Sequence, residues 1–385
     1  MSYLRRLSTR SLIVVLAAIC ALGGGGAAIA VAAGAGGQTP PPKPLDQAIH
    51  DALAAGHPAG VTARIQFTNN LFPSGALLGQ AASALMSGAS GRLWLTGDGR
   101  GRIELQSDAG DVQIVWNTTQ ISVYDASSNT VYRASLPASS STNGSETPPA
   151  LADIDSILSE IGVHWALSDT QPTDIAGQPA YAVSASPKHD GGLLGSLELA
   201  FDASNGTPLR AAVYAQGSSS PVLELTVTDI SYGLVAASDV EVAPPVGAKV
   251  VDLGTSGAPD SGSSQPAVTG LAAVQAAAPF TVVAPDSLVG VPRRDVRLVG
   301  GDTVLALYGQ GLGGIALVER KADSSATDGN GILSNLPTVS LDGLTAHELS
   351  TQLGTVLTWQ AGGVSFVLAG SLPASAAETA ARAVK

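Results

Sequence analysis

The spacing of apolar residues changes repeatedly along this chain, and each change predicts a different element. From Leu45 to Ala55 apolar side chains recur at Leu45, Ile49, Ala52 and Leu53, with Pro44 ahead and Gly56 behind. Helical spacing between two stop signals predicts a short amphipathic helix. From Arg92 the period becomes two. Leu93 and Leu95, Ile103 and Leu105, then Val112, Ile114 and Trp116, then Ile121 and Val123 alternate with mostly polar residues, as in half-buried antiparallel strands. Turn residues at Gly97-Asp98-Gly99, Ser107 to Gly110, Asn117-Thr118 and Ser127 to Asn129 separate them, which makes a meander of hairpins. Leu151, Ile154, Ile157, Leu158 and Ile161 return to helical spacing between Pro148-Pro149 and Gly162, a second amphipathic helix. Past residue 180 the alternation resumes at Tyr181 and Val183, at Leu197, Leu199 and Phe201, at Ala211 and Val213, and at Leu223, Leu225 and Val227.

About eight strands therefore share one apolar face. The expected fold is mainly β (α+β): a strongly curved antiparallel sheet, or incomplete β-barrel, with helices covering its apolar side. Leu253 to Val268 is rich in Gly, Ser, Ala and Pro, a linker composition. It separates a first domain at 45–252 from a small C-terminal α+β domain at 269–385. The second contains short strands at Val296 to Leu298, Val304 to Leu307, Ile315 to Val318 and Val364 to Leu368, and an Ala-rich helix from about Pro373. Thr345-Ala-His-Glu348 fits a helical capping box, whereas Thr355 to Trp359 reads as strand, so that stretch stays open.

The N-terminus has its own pattern. Arg5, Arg6 and Arg10 precede an apolar run, Leu12 to Ala35, followed by the Pro-rich linker 38–44. Residues 1–37 thus read as a signal peptide or an N-terminal membrane anchor, the run being long enough for either. Ala28-Ile29-Ala30 and Ala33-Gly34-Ala35 are candidate cleavage sites. Cys20 follows Ile19, where lipid attachment needs a small residue. The expected location is extracytoplasmic, secreted or tethered to the cell membrane.

Composition narrows the function further. Of 385 residues only 13% are charged, with 19 Lys plus Arg against 31 Asp plus Glu and a net charge of −12. Residues 1–35 hold three Arg and no acid, so the exported part carries −15. Such a surface repels a phosphate backbone, and nucleic acid is excluded as a partner. With Cys20 as the one cysteine, no intramolecular disulfide and no thiolate metal site can form.

No constellation for catalysis emerges. His50, His57, His164, His189 and His347 are scattered, with no second ligand at metal spacing. No Gly-x-Ser-x-Gly elbow occurs. Gly309-Gln-Gly311-Leu-Gly313-Gly314 has dinucleotide-loop spacing, but Ile315 to Glu319 reads as strand where that loop needs a helix N-terminus. It is expected to be a bend between strands. Asp153, Asp155 and Glu160 lie on the solvated side of the second helix. Asn117, Asn143 and Asn205 open Asn-x-Ser/Thr triplets where turn residues are expected anyway. The chain reads as a non-enzyme without cofactor or metal.

What remains is the apolar face. A curved sheet under helices is filled by its own side chains or leaves room for an acyl chain. The residues whose parity faces such a space are Leu93, Leu95, Ile103, Leu105, Ile114, Trp116, Val123, Val183, Leu197, Leu199, Val213 and Leu225, with Ile154 and Leu158 on the covering helix. Ordinary core packing accounts for the same pattern.

The order of these elements resembles a known family. Gly91-Arg-Leu-Trp-Leu-Thr-Gly-Asp-Gly99, Arg102-Ile-Glu-Leu-Gln106, Val123-Tyr-Asp125, Asn129-Thr-Val-Tyr-Arg133 and Leu136-Pro137 resemble LolA-like envelope lipoprotein carriers in their actinobacterial branch. Gly177-Gln-Pro-Ala-Tyr181, Pro187-Lys188 and Phe201 to Arg210 look like the family's later strands. The resemblance covers about residues 45 to 250. It implies an incomplete antiparallel barrel with a helical lid around a hydrophobic cavity, and lipid or lipoprotein acyl chains as the partner. The two-domain plan is also similar to the RseB/MucB envelope-stress regulators, which implies a membrane anti-sigma protein as the alternative partner.

Overall fold

The computed structural model describes residues 39–56, 58–71, 84–136, 150–252, 268–322 and 336–384. The expected export segment, Asn143 and nearly all of the expected linker 253–268 lie outside the described residues. The helix predicted at the start of the first domain is α1, Leu45–Ala54. A strand β1, Gly60–Asn69, follows, then a short helix α2, Ala84–Ser87. The meander comes next: β2 Ala89–Thr96, β3 Gly101–Ser107, β4 Gly110–Trp116, β5 Gln120–Asp125 and β6 Thr130–Ser135. The second predicted helix is α3, Leu151–Ile161, whose first turn is capped by Asp153 reaching back to the Ala150 amide.

After it come β7 Trp165–Leu167, β8 Gln171–Ile175, β9 Gln178–Pro187, β10 Leu194–Asp202, β11 Pro208–Ala215 and β12 Pro221–Tyr232. A short helix α4, Ala237–Val240, and the edge strand β13, Lys249–Asp252, complete this part. All thirteen strands form one sheet in the order β13-β6-β5-β4-β3-β2-β1-β12-β11-β10-β9-β7, with β8 also on β9. The sheet is open, since its two end strands do not meet. It contains more strands than the period-two runs predicted. The largest addition is β1, which pairs with both β2 and β12 and so joins the two runs.

Register puts the apolar parity on one side. Opposed residues in an antiparallel ladder share a face, so Ile230, Ala63, Leu93, Ile103, Ile114, Val123 and Tyr132 form one row across neighbouring strands. Val183, Leu199, Ala211, Leu225, Phe67 and Ala89 form another. Two glycines let the strands curl tightly here. A β-carbon on Gly91 would strike the Glu104 carbonyl, and one on Gly101 would strike the Trp116 indole.

A second, eight-stranded sheet is built from β14 Ser287–Leu288, β15 Val291–Val299, β16 Thr303–Tyr308, β17 Ile315–Lys321, β18 Thr338–Leu341, β19 Leu344–Thr351, β20 Gly354–Ala361 and β21 Val364–Gly370. Its order is β14-β15-β16-β17-β21-β20-β19-β18. Helix α5, Leu271–Ala277, packs on β15, and α6, Ala374–Arg382, packs on β20 and β21. The core between them includes Leu317, Leu357, Leu368, Ala377 and Ala380 and a stacked Trp359–Phe366 pair at 5.2 Å between ring centroids. The stretch left open in the sequence resolves as strand. Thr345 to Glu348 lies within β19 and pairs with β20 and β18, because its alternation fits a hairpin better than its capping pattern fits a helix.

Glu319 interrupts this core. It is fully buried on β17, and its two carboxylate oxygens accept the Val283 amide at 2.8 Å and the Ala284 amide at 2.9 Å. Burial pushes its carboxyl above the usual 4.5, against the pull of the two amides.

The glycine-rich bend predicted at Gly309–Gly314 joins β16 to β17 through a single 3-10 turn, Gly311–Gly313. It also meets the first sheet. The Gly313 amide donates to the Asp190 carbonyl in the β9–β10 connection at 2.6 Å. Ser371 Oγ accepts the Leu193 amide at 2.8 Å and donates to the Leu353 carbonyl at 2.8 Å. A β-carbon on Gly313 would lie 3.0 Å from the Asp190 carbonyl, so the glycine serves lobe-to-lobe contact and not phosphate binding.

Two outcomes are expected. Glu319→Ala leaves the buried Ala284 amide and the half-buried Val283 amide without acceptors and should cost about 2–4 kcal/mol in urea unfolding. Because the folded-state pKa is raised, the stability that wild type holds over Glu319→Gln should be largest below about pH 4.5 and fall as pH rises through the folded-state value. A pH-independent difference between the two proteins would contradict this.

Candidate functional site

The apolar side of the 13-stranded sheet is covered unevenly. Helix α2 packs against β1, β3 and β4, where Ala84 joins Val61, Ala63, Ile65, Ile103, Leu105, Val112 and Trp116 in a closed core. Farther along, α1 places Ala48 and Ala52 on Tyr181 and Phe201. The chain just before α1 is pinned there as well. Tyr181 Oη donates to the Pro41 carbonyl at 2.7 Å, and Thr170 Oγ1 donates to the Lys43 carbonyl. Helix α3 packs on α1 and buries only Ile154.

The predicted residues divide accordingly. Leu105, Ile103 and Trp116 are buried, and their neighbours are the tightly packed part of the core. Leu93, Leu95, Ile114, Val123 and Leu225 sit beside them, half-buried. Val183 and Leu199 are half-buried under the α1 end of the sheet. On α3, Ile154 is buried and Leu158 half-buried. Two of the predicted residues belong elsewhere. Leu197 and Val213 cluster with Leu194, Ala215, Val222, Leu223 and Leu353 of the second sheet, since their places near the strand ends carry them to the contact between the lobes. Tyr181 and Phe201 share the face with Leu199 and were signalled by the same parity.

The opposite side of the sheet is polar. Arg210 on β11 is bonded to Glu198, to Glu224 through Nε at 2.5 Å, and to the Tyr214 hydroxyl at 2.8 Å. Arg102 lies over the Trp94 ring, 4.8 Å from its centroid, and donates to the Asp239 carbonyl at 3.0 Å. Arg100 pairs with Asp98 and Glu241, which holds the α4 segment on this side. The Arg100 and Thr96 hydrogen bonds lower the Asp98 carboxyl to about 2. Between this segment and β4–β6 lies a shallow recess of about 190 Å³ containing Val115, Gln120, Ser122, Arg133 and Pro244.

At the rim of the apolar side Asp202 is fully buried, accepting from Tyr232 Oη and from the Ser204 amide at 2.5 and 2.7 Å. Burial and the Asp202 carboxylate push the Tyr232 phenol up. These bonds fix the Asn205-Gly206 turn against Ala52 of α1. Among the described residues no group of three or more His, Cys, Asp and Glu could hold a metal ion, and no helix is long and apolar enough to cross a membrane. What the arrangement offers chemically is apolar area: rows of half-buried aliphatic side chains with the charges turned to the other side.

No family model and no curated protein matches the chain. Among solved structures it is similar to MucB in complex with MucA(peri), at 15% identity over 89% of this chain and 96% of that one, with a TM-score of 0.41. It is similar to the Pseudomonas aeruginosa MucA/MucB complex at 15% identity, over 87% and 96%, with a TM-score of 0.42. A LolA-superfamily protein from Nitrosomonas europaea matches at 11% identity over 52% and 98%, with a TM-score of 0.23.

Replacing a closed-core residue should unfold the protein more than replacing a half-buried one. Leu105→Ala is expected to cost about 2–5 kcal/mol by urea denaturation, and Leu93→Ala distinctly less, because its site is already partly open to water. Equal losses would show that the two sites are packed alike.

Proposed function

We propose that the chain is an exported, non-catalytic protein that shelters acyl chains of a lipid or lipoprotein on the apolar face of its large sheet. The observation that carries the reading is the continuity of half-buried aliphatic residues, Leu93, Ile114 and Val123 in one row and Val183, Leu199 and Leu225 in the next, beneath helices that cover them incompletely. A single-domain core of this size normally closes such a face, and an apolar surface left partly open marks a binding site. Residues 45–252 are the binding domain on this reading, and 269–385 a second domain docked on it.

The energetics need no polar constellation. At about 0.8 kcal/mol per buried methylene, ten methylenes supply on the order of 8 kcal/mol before the costs of association. A second reading, a regulatory module of the RseB/MucB type that binds a membrane anti-sigma partner, is favoured by the second sheet with its own core and its fixed contact to the first.

Native mass spectrometry of the purified full chain is expected to find co-purifying acyl lipid, and a fluorescent fatty-acyl probe to bind saturably. Leu199→Asp should weaken that probe at least tenfold while the melting temperature stays near wild type. No lipid and no saturable binding would remove the carrier reading. Capture of a single-span anti-sigma protein by lipid-free chain would put the regulatory reading in its place.

A further inference from the structure

The helical pair α1 and α3 carries more exposed apolar side chains than any other part of the described surface: Leu53 at 43%, Leu151 at 41%, Ile157 at 54%, Ile161 at 40% and, just past α3, Val163 at 62%. They are open to solvent, whereas Ile154 of α3 is buried. Ile157 and Ile161 lie three and seven positions after Ile154, so they stand beside it on one face of α3 and remain exposed. Asp155 is exposed on the opposite side of the helix, and Asp153 and Glu160 are exposed along the edge of the stripe beside Ile157. A surface helix with an exposed apolar stripe bordered by charge can lie on a lipid interface.

The path of the chain says what covers this stripe. Pro41 and Lys43 are held by Tyr181 and Thr170 beside α1. Five residues separate Pro41 from Ala35, the last residue of the apolar N-terminal run. Even fully extended, that stretch spans only about 20 Å. If the run is a retained anchor, the bilayer surface that holds it is therefore within about 20 Å of Pro41, which is held beside α1.

We infer that the α1–α3 stripe is a membrane-contact face: Ile157, Ile161 and Val163, with Leu53 beside them, rest in the interface of the bilayer in which the N-terminal segment is anchored. The inference rests on the anchor reading of Leu12 to Ala35 and stands apart from acyl-chain binding. It orients the molecule with α1 and α3 towards lipid.

The test uses the full-length chain carrying Cys20→Ser, with a single environment-sensitive NBD label on Ile157→Cys or, for comparison, on Asp155→Cys. Both sites are exposed, and circular dichroism checks that each labelled protein is folded. In phosphatidylcholine vesicles the label at 157 is expected to shift to the blue, brighten several-fold and be quenched by doxyl-labelled lipid, while the label at 155 stays as in buffer. Identical behaviour of the two labels in vesicles would overturn the inference. So would a blue shift at 157 that appears without vesicles as protein concentration rises, since a second copy would then cover the stripe.

A paired variant, Ile157→Asp with Ile161→Asp, should abolish quenching of a label on Val163→Cys yet leave fatty-acyl probe binding in solution unchanged. Leu199→Asp should do the reverse. Failure of membrane contact and failure of acyl binding are thereby read separately.

Discussion

The ladder between β1 and β12 is the interaction on which the rest of the large sheet depends. It pairs Val61 with Tyr232 and Asn69 with Leu223, residues that are far apart in sequence, and so closes a loop whose entropy must be met by everything the pairing brings together. Without it the chain would be two separate antiparallel ribbons, β1–β6 and β7–β12, each with one face exposed. With it, the apolar parity of both becomes one continuous surface. The register shift between Arg64 and Ile65 lies in this same ladder, where an extra residue increases the local twist and bends the joined sheet around its apolar side.

Curvature without closure has a particular consequence. A closed barrel fixes its interior volume by strand number, whereas an open sheet needs other elements to cover its inner side. Here the coverage is graded. Near Leu105 and Val112 the small helix α2 and the curl permitted by Gly91 exclude water. Towards Val183 and Leu199 the covering element is α1, on which α3 packs with only Ile154 buried. The polar side is organised differently, through ion pairs around Arg210 and Arg100. A sheet of low overall charge thus keeps its few charges where they mutually compensate and where they leave the apolar side undisturbed.

Much of this was legible in the sequence because period two survives translation into structure. The alternations at Leu93 to Val123 and Tyr181 to Val227 are strands, and Leu45 to Ala54 and Leu151 to Ile161 are helices. Strand β1 carries the same signal in Val61, Ala63, Ile65 and Phe67, weakened by the small Ala63, and it lay outside the strands read from the sequence. Parity reports the face of a strand and nothing about position along it. That is why Leu197 and Val213 shared the pattern of Leu199 and Leu225 and yet pack against Leu353. The same limitation hid Glu319, which follows Ile315 and Leu317 at core parity. A carboxylate on an apolar repeat was a visible anomaly, but the backbone amides of Val283 and Ala284 that justify it come from a segment with no periodic signal.

The two ends of the large sheet bear on how such an open structure avoids adding strands from neighbouring molecules. An unclosed sheet presents unpaired backbone groups at each margin, and long flat margins template the addition of further strands from neighbouring molecules. In this protein the margins are β13, four residues long and carrying Lys249 and Asp252, and, side by side along β9, β7 of three residues and β8 of five. β13 moreover runs parallel to β6, against the antiparallel grain of the sheet. One margin is short and the other is broken into two pieces, and neither offers a long flat template, so the sheet can remain unclosed on its inner side without growing sideways into a fibre.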